Sequence, residues 1–336
     1  MHPVPAHDSR HPTPAPQDHG FWDVLLFNIA TVLGPRWIAA AGHNGTSSIS
    51  LWVIAALFYF VPGALVINEL SSRFPHAGGL YVWAKEAFGD FHGFIAGWTY
   101  WIYTVFYFPG LLLASASMSA YILGPGGSAL SQSRAFQLWV SMGLLVIAVG
   151  LNLIGLNIGK WLQTVAGIAR VPFVVGIDRY LPAAFGKIHP RWKTPWVSIL
   201  VQRFLSGAIL LISQINDTTR GAYQVLIDAA LILYFIPFLY MFAAVIRLGA
   251  RPDRASNPHA ILVPGGRPGL WICGGLGFLV VLLGIAVSLI PPGDSSSKLG
   301  FEPKLLIGTV ASILIGLALY WRGARRKPAT PAATGI

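Results

Sequence analysis

Long apolar runs, uninterrupted by polar segments, dominate the hydropathy pattern of this chain. Each run approaches the roughly 20 residues that an α-helix needs to cross the hydrocarbon core of a bilayer. The runs are apolar on all faces, whereas core helices of soluble proteins keep a polar face. The pattern therefore predicts an all-α polytopic membrane protein with about eight transmembrane helices. The predicted spans are Trp22–Ala41, Ile49–Asn68, Phe94–Leu123, Ala135–Gly155, Pro195–Ile215, Ala222–Ile246, Gly269–Ile290 and Leu305–Trp321.

The composition agrees with this prediction. Of the 336 residues, 54% are hydrophobic and only 10% are charged, against about 25% charged residues in an ordinary soluble domain. This excludes a disordered chain, a soluble enzyme with a normal surface and a nucleic-acid-binding protein with a solvated face. The single cysteine, Cys273, excludes an internal disulfide framework and a cysteine metal cluster.

The distribution of basic residues predicts the orientation in the membrane. With the N-terminus in the cytoplasm, 17 of the 23 Lys and Arg residues fall in inner loops and 4 fall in outer loops. Positive charge concentrates in the cytoplasmic loops of membrane proteins, so we expect both termini in the cytoplasm. The apolar segment Trp161–Gly176 is about sixteen residues long and contains Arg170. We interpret it as interfacial or re-entrant, because a crossing there would move the later basic loops outside.

The chain then divides into five segments. Residues 1–20 are rich in Pro and His and are predicted to form a disordered cytoplasmic tail, for which a histidine metal site is a less favoured alternative. Residues 21–155 contain the first four spans, and residues 156–194 form a cytoplasmic or interfacial segment. Residues 195–322 contain the last four spans, and residues 323–336 form a basic cytoplasmic tail.

Three stretches carry a resemblance to a known family. They are Glu69–Tyr81 (ELSSRFPHAGGLY), Gly176–Phe185 (GIDRYLPAAF) and Leu33–Trp37 (LGPRW). The first resembles the first cytoplasmic loop of the amino acid–polyamine–organocation superfamily of secondary transporters. The second is similar to the loop between helices eight and nine of that family. The third lies where the family breaks its first helix, although this chain has Gly-Pro-Arg where members usually carry Gly-[Ser/Ala]-Gly.

The resemblance implies a shortened version of the family's inverted-repeat transporter fold. Members have twelve helices, with the first five and the next five related as inverted repeats. Spans one to four here resemble helices one to four, and the later spans resemble helices nine to twelve. Most of helix five, all of helices six and seven and most of helix eight are missing, with the junction at Gly167–Ile168.

The candidate substrate-binding residues begin at the break in span one, at Leu33, Gly34, Pro35, Arg36 and Trp37. Proline lacks an N–H and clashes with the preceding turn, so the helix is expected to break there. The positive end of a half-helix then holds a carboxylate; a simple proline kink is the alternative.

A charge such as Arg36 deep in the bilayer costs at least about 2.5–3.5 kcal/mol. It either pairs with a substrate carboxylate or acts as a gate, or snorkels to the interface.

The aromatic stretch Trp98–Pro109 supplies one more candidate, Tyr107, as a residue lining the substrate path. Helix packing and interface anchoring are the alternatives for the stretch as a whole.

Four charged residues at or near the spans need an interpretation. Glu69 and Arg73 are either solvated loop charges or a gating pair. Asp228 either takes part in proton coupling or lies at the outer interface near Arg220. Arg203 is interpreted as snorkelling to the cytoplasmic surface.

The resemblance implies an amino acid permease that moves amino acids or related amines across a membrane, most simply the bacterial inner membrane. The missing helices favour a loss of transport in the chain as given. The alternative is a transport-dead truncated membrane protein, or a gene-model fragment, that associates with a full-length relative.

The sequence contains no phosphate-binding loop and no H-E-x-x-H motif. We therefore expect no enzyme activity, cofactor, metal or nucleic acid; the expected partners are an amino acid or amine substrate, the lipid bilayer and a second copy in a homo-oligomer.

Overall fold

The computed structural model describes residues 42, 45–75, 78–122, 124, 126–154, 181–187, 196–213, 219–252, 260–290 and 298–325. Within these ranges the chain is helical apart from turns and short connections, and it contains no strand. The helices are α1 (Ser47–Arg73), α2 (Leu80–Phe88), α3 (Asp90–Ile122), α4 (Gly127–Gln132), α5 (Arg134–Ile154), α6 (Trp196–Ser213), α7 (Thr219–Gly249), α8 (Gly266–Ser288) and α9 (Lys298–Ala324).

The predicted all-α membrane architecture is confirmed. Six helices in the described ranges, α1, α3, α6, α7, α8 and α9, are long and apolar enough to cross a membrane. The apolar part of α5, Arg134–Gly150, is shorter. Seven of the eight predicted spans therefore coincide with described helices. The remaining one, Trp22–Ala41, lies outside the described residues.

The two longest helices, α3 and α7, pack against each other and organise the bundle. Tyr103 of α3 contacts Tyr234 of α7, with ring centroids 5.0 Å apart. About two turns further along α3, a Cβ on Gly110 would lie 2.9 Å from Ile227 of α7. Because the contact positions rise along α3 while they fall along α7, the two helices are antiparallel. The remaining long helices surround this pair.

Glycines allow several helices to approach closely, as expected for membrane bundles. A Cβ on Gly277 of α8 would overlap the ring of Phe242 on α7. A Cβ on Gly93 of α3 would lie 2.6 Å from the Cβ of Lys85 on α2. Larger residues at these positions would force the helices apart.

The helix directions agree with the alternation that the charge pattern predicts. Gln202 of α6 donates a 2.7 Å hydrogen bond to Thr104 of α3, and Phe185, just before α6, contacts Trp101; α6 therefore runs parallel to α3. Gln137, near the start of α5, donates to Ser117, near the end of α3, so α5 returns in the opposite direction. Consequently α5 ends, and α6 begins, at the end of the bundle where α3 begins. We call this the predicted cytoplasmic end.

One helix contains a local irregularity that hydropathy does not reveal. Residues Ala56–Phe60 of α1 form a π-helical turn immediately before Pro62. Proline cannot donate the hydrogen bond that would continue the α-helical pattern, and a π turn is one way in which a helix accommodates such a gap.

Candidate functional site

The predicted break in the first span cannot be located in the structure. Leu33, Gly34, Pro35, Arg36 and Trp37 all lie outside the described residues. Their assignment to a substrate site therefore stays a prediction.

The sixth predicted site residue, Tyr107, belongs to a row of tyrosines on α3. Tyr100, Tyr103 and Tyr107 follow each other at helical spacing, so their side chains share one side of the helix. The ring centroids of Tyr100 and Tyr103 are 5.5 Å apart, and those of Tyr103 and Tyr107 are 6.1 Å apart. Tyr234 of α7 completes the cluster, with its ring 6.3 Å from that of Tyr100. We call these four residues the tyrosine face.

The tyrosine face differs from the rest of the aromatic stretch in its exposure. Trp98 and Trp101, on other sides of α3, are buried in the core, and Trp98 donates a 2.9 Å hydrogen bond to the carbonyl of Ser312 on α9. The packing interpretation therefore holds for the tryptophans. The four tyrosines are only partly buried.

Chemically, the tyrosine face offers rings and hydroxyl groups together. In the part of the chain that the structure describes, the hydroxyls of Tyr100, Tyr103 and Tyr234 have no hydrogen-bond partner. Tyrosine rings attract cations such as ammonium groups over their faces, and the hydroxyls both donate and accept hydrogen bonds. The arrangement suits a small ligand that carries an amine.

The aromatic surface continues along α7 toward the predicted cytoplasmic end. Phe238 lies 4.7 Å from Tyr234 between ring centroids. Beyond it, the hydroxyl of Tyr240 lies 3.0 Å from Nδ1 of His92 on α3, within hydrogen-bond distance. This pair joins α3 to α7 below the tyrosine face.

A buried polar cluster lies at the same end, where α1 meets α7. Arg73 is 3.3 Å from the Oε1 atom of Glu69, and both of its terminal nitrogens donate 3.2 Å hydrogen bonds to the carbonyl of Leu248. The backbone N–H of Val263 donates a 2.8 Å hydrogen bond to the Oε2 atom of Glu69. We call these four residues the α1–α7 latch.

The latch corrects the favoured interpretation of Glu69 and Arg73 as solvated loop charges. The side chain of Glu69 is 0% exposed and that of Arg73 is 5% exposed. A carboxylate can be buried in this way only when it is paired and hydrogen-bonded, and here the segment that precedes α8 provides the second partner. Ser72 adds a further tie, because it accepts a 2.9 Å hydrogen bond from the N–H of Ile261. Sequence analysis missed this cluster because its partners lie about 175 to 195 residues away along the chain.

The other two charged candidates, Asp228 and Arg203, are not members of the tyrosine face. Asp228 is buried and accepts a 3.3 Å hydrogen bond from Gln224. It lies two turns before Phe235, which packs near Gly284 on α8, and is therefore level with the end of α8 that is opposite the predicted cytoplasmic end; the side chain of Arg220 lies outside the described residues. Arg203 is buried against α3 and does not snorkel to the surface as predicted.

Comparison with known proteins identifies relatives among transporters. The chain is 32% identical over 139 residues to an uncharacterized transporter of Legionella pneumophila, covering 41% of this chain and 29% of that protein. It is 28% identical over 162 residues to the serine/threonine exchanger SteT of Bacillus subtilis, covering 45% and 34%. An arginine/ornithine antiporter of Pseudomonas aeruginosa is 25% identical over 285 residues, covering 76% and 56%. The chain thus spans between about a quarter and about half of the length of these relatives.

A sequence model of one family accounts for most of the chain. It is described as amino acid permease, and it matches in two segments, residues 20–177 and residues 164–315. The two segments meet within 164–177, which contains the junction predicted at Gly167–Ile168. Together with the apolar helices of the bundle, these matches show that the chain is an integral membrane protein and belongs to the amino acid permease family.

Proposed function

We propose that this protein is a membrane carrier for amino acids or related amines, of the secondary-transport type, and that its tyrosine face lines the substrate path. The observation that carries the proposal is the pair of family matches, which together extend over residues 20–315. The names of the relatives, which include exchangers and antiporters of serine, threonine, arginine and ornithine, support the same class of substrate.

The tyrosine face supports the proposal chemically. Amino acids and polyamines share a protonated amine, and three hydroxyls and four ring faces are available to it on α3 and α7. The carboxylate of an amino acid requires a positive partner, for which we propose the broken first span with Gly34, Pro35 and Arg36. Leu33, Trp37 and Tyr107 are proposed to line the same path.

The proposed setting is the inner membrane of a bacterium, with both termini in the cytoplasm. The 17-to-4 distribution of basic residues supports this orientation, and the alternating helix directions are compatible with it. The same orientation places the α1–α7 latch at the cytoplasmic end of the path.

We further propose that the 336-residue chain does not complete a transport cycle alone. The resemblance places the substrate site between a broken first helix and a broken sixth helix, and no later span resembles the sixth. Pro237 lies within the continuous helix α7, but α7 follows the Gly176–Phe185 motif and so resembles helix ten. Alternating access requires two bundles that move against each other, and by the resemblance half of each has no counterpart in this chain.

Reconstitution of the purified chain in liposomes tests both parts. Binding of labelled arginine, serine or putrescine should saturate, whereas uptake and exchange should not exceed those of empty liposomes. Saturable uptake that is lost in Arg36→Ala would contradict the proposed inactivity and support a working carrier. The absence of both binding and uptake for all three probes would contradict the carrier proposal itself.

A second candidate function is a transport-inactive membrane protein that associates with a full-length relative or with a second copy. The family match supports it, because the match is made in two segments, residues 20–177 and 164–315, and not in one continuous stretch. Sequencing of the genomic locus and its transcript across Gly167–Ile168 distinguishes a genuine short protein from a gene-model fragment. Co-purification of a tagged chain with a full-length permease from the same membrane, but not with an unrelated carrier, would support association.

A further inference from the structure

Arg203 places a positive charge inside the helix bundle. Arg203 lies on α6 and is 7% exposed. The Cζ atom of its guanidinium lies 4.4 Å from the centroid of the Phe108 ring on α3. Among the residues that the structure describes, no carboxylate lies within ion-pair distance of this guanidinium. The Nε atom is fully buried and has no hydrogen-bond acceptor.

The contact with Phe108 satisfies this charge only in part. A guanidinium carries five N–H donors in a planar fork, and an aromatic face attracts the charge without accepting conventional hydrogen bonds from all of them. Buried polar groups in proteins are almost always hydrogen-bonded, and buried charges are paired. The buried Nε–H of Arg203 therefore lacks an acceptor, and a partner that accepts hydrogen bonds and carries negative charge would satisfy it.

The neighbouring polar groups on α6 define what that partner is. Ser206 lies one turn further along the same buried side of the helix, and its hydroxyl is also fully buried without a hydrogen-bond partner in the described ranges. Gln202, by contrast, is already engaged, because its amide donates a 2.7 Å hydrogen bond to Thr104. The two groups without a partner are thus part of a cation and a hydroxyl that can donate, a combination that favours an anion over a cation.

The position of the pair allows a small ligand only. Gly207, next to Ser206, brings α5 close to α6, since a Cβ there would lie 3.3 Å from Leu145. On the other side, the ring of Phe108 lies 5.9 Å from that of Tyr107, at the edge of the tyrosine face. An anion at Arg203 would therefore lie between packed helices, beside the proposed substrate path and at the depth of its middle.

We propose that Arg203 and Ser206 bind a small monovalent anion, either a halide ion or a carboxylate group, between α3 and α6. The inorganic source is chloride and the organic source is the carboxylate of an amino acid. The proposal is independent of transport, because binding at this position is measurable on a chain that carries nothing across the membrane.

Anion titration of the purified full chain tests this site. The protein is held in detergent in a gluconate buffer at constant ionic strength, and its thermal midpoint is followed while chloride, acetate or glycine is added. We expect a saturable rise in the midpoint. Arg203→Gln should weaken the apparent affinity at least about tenfold, because it removes the charged donors, and Ser206→Ala should weaken it several-fold.

The chain offers a matched control in Arg247, another arginine that lies over a phenylalanine ring, at 5.1 Å from Phe88, but is exposed. Arg247→Gln should titrate as the wild type does. If Arg203→Gln does not fold, Ser206→Ala together with equilibrium binding of radioactive chloride to the wild type decides the question.

Chloride and a carboxylate would give different titration results, and either result supports an anion site at Arg203 and Ser206. A response to chloride indicates an inorganic ion, whereas a response to acetate or glycine without chloride indicates a carboxylate. The proposal is overturned if none of the three anions stabilises the wild type, since the guanidinium is then satisfied by water. It is also overturned if the affinity is unchanged in Arg203→Gln or, where that variant does not fold, in Ser206→Ala.

Discussion

The guanidinium of Arg73 donates two hydrogen bonds to the backbone carbonyl of Leu248, each 3.2 Å long. Leu248 lies in the last turn of α7, where the helix no longer supplies its regular donors, and its carbonyl also accepts a 3.3 Å hydrogen bond from the N–H of Arg251. A basic side chain at a helix C-terminus both satisfies such a carbonyl and interacts favourably with the helix dipole. Arg73 thus attaches the end of α1 to the end of α7, and Glu69 extends the attachment to the segment before α8.

The first prediction concerns this latch. Glu69→Gln should lower the stability of the protein by about 3–5 kcal/mol, because removing one partner of a buried ion pair leaves the other buried charge less well compensated. Thermal unfolding of the purified variants measures the loss. Lys85→Ala is the matched control, since Lys85 pairs with Asp90 at 3.5 Å on a partly exposed surface and should cost less than about 1 kcal/mol. Equal effects of the two substitutions would contradict a structural role for the latch.

The second prediction concerns the contact between α7 and α8. Gly277→Ala should destabilise the bundle by about 1–3 kcal/mol, because the new methyl group would overlap the ring of Phe242. Gly275→Ala, two residues away on the same helix, has open space around the new methyl group and should be neutral or slightly stabilising. Thermal midpoints of the two variants compare them directly; a loss at Gly275 as large as that at Gly277 would argue against this helix contact.

The third prediction concerns the tyrosine face. Tyr107→Ala should weaken binding of an amine-bearing ligand at least about tenfold, because it removes one of the four ring faces available to the amine. Equilibrium binding to the purified chain measures the change. Tyr121→Ala on the same helix is the control, since Tyr121 is 62% exposed near the end of α3 and should leave binding unchanged. Wild-type affinity in Tyr107→Ala would remove this residue from the proposed path.

The fourth prediction concerns the orientation of the bundle. In a Cys273→Ser background, a cysteine introduced by Ser128→Cys should react with an impermeant reagent in sealed cells, whereas one introduced by Lys187→Cys should react only after the cells are opened. Both native side chains are exposed in the structure, so burial does not prevent either reaction. Labelling of the Lys187→Cys variant in sealed cells would reverse the proposed topology.

The lengths of the apolar runs were sufficient to predict most of the helices. A helix that crosses a bilayer must satisfy its own backbone hydrogen bonds and expose apolar side chains to lipid, and both requirements are local to the run. Predicted and observed boundaries therefore agree closely, as for Ala135–Gly155 and the observed Arg134–Ile154. The largest difference is at α9, which begins at Lys298 rather than Leu305, because a helix continues beyond the apolar run into the polar interface.

The environment of each charged or aromatic side chain depends on residues that are distant in sequence, and only the tertiary structure determined it. Glu69 and Arg73 are typical of a solvated loop end until Leu248 and Val263 are brought against them. Arg203 has the sequence context of a snorkelling arginine, yet the packing of α3 places it over Phe108. Hydropathy reports how a residue partitions between water and lipid, but whether it faces lipid, a neighbouring helix or a ligand is decided by which helices meet.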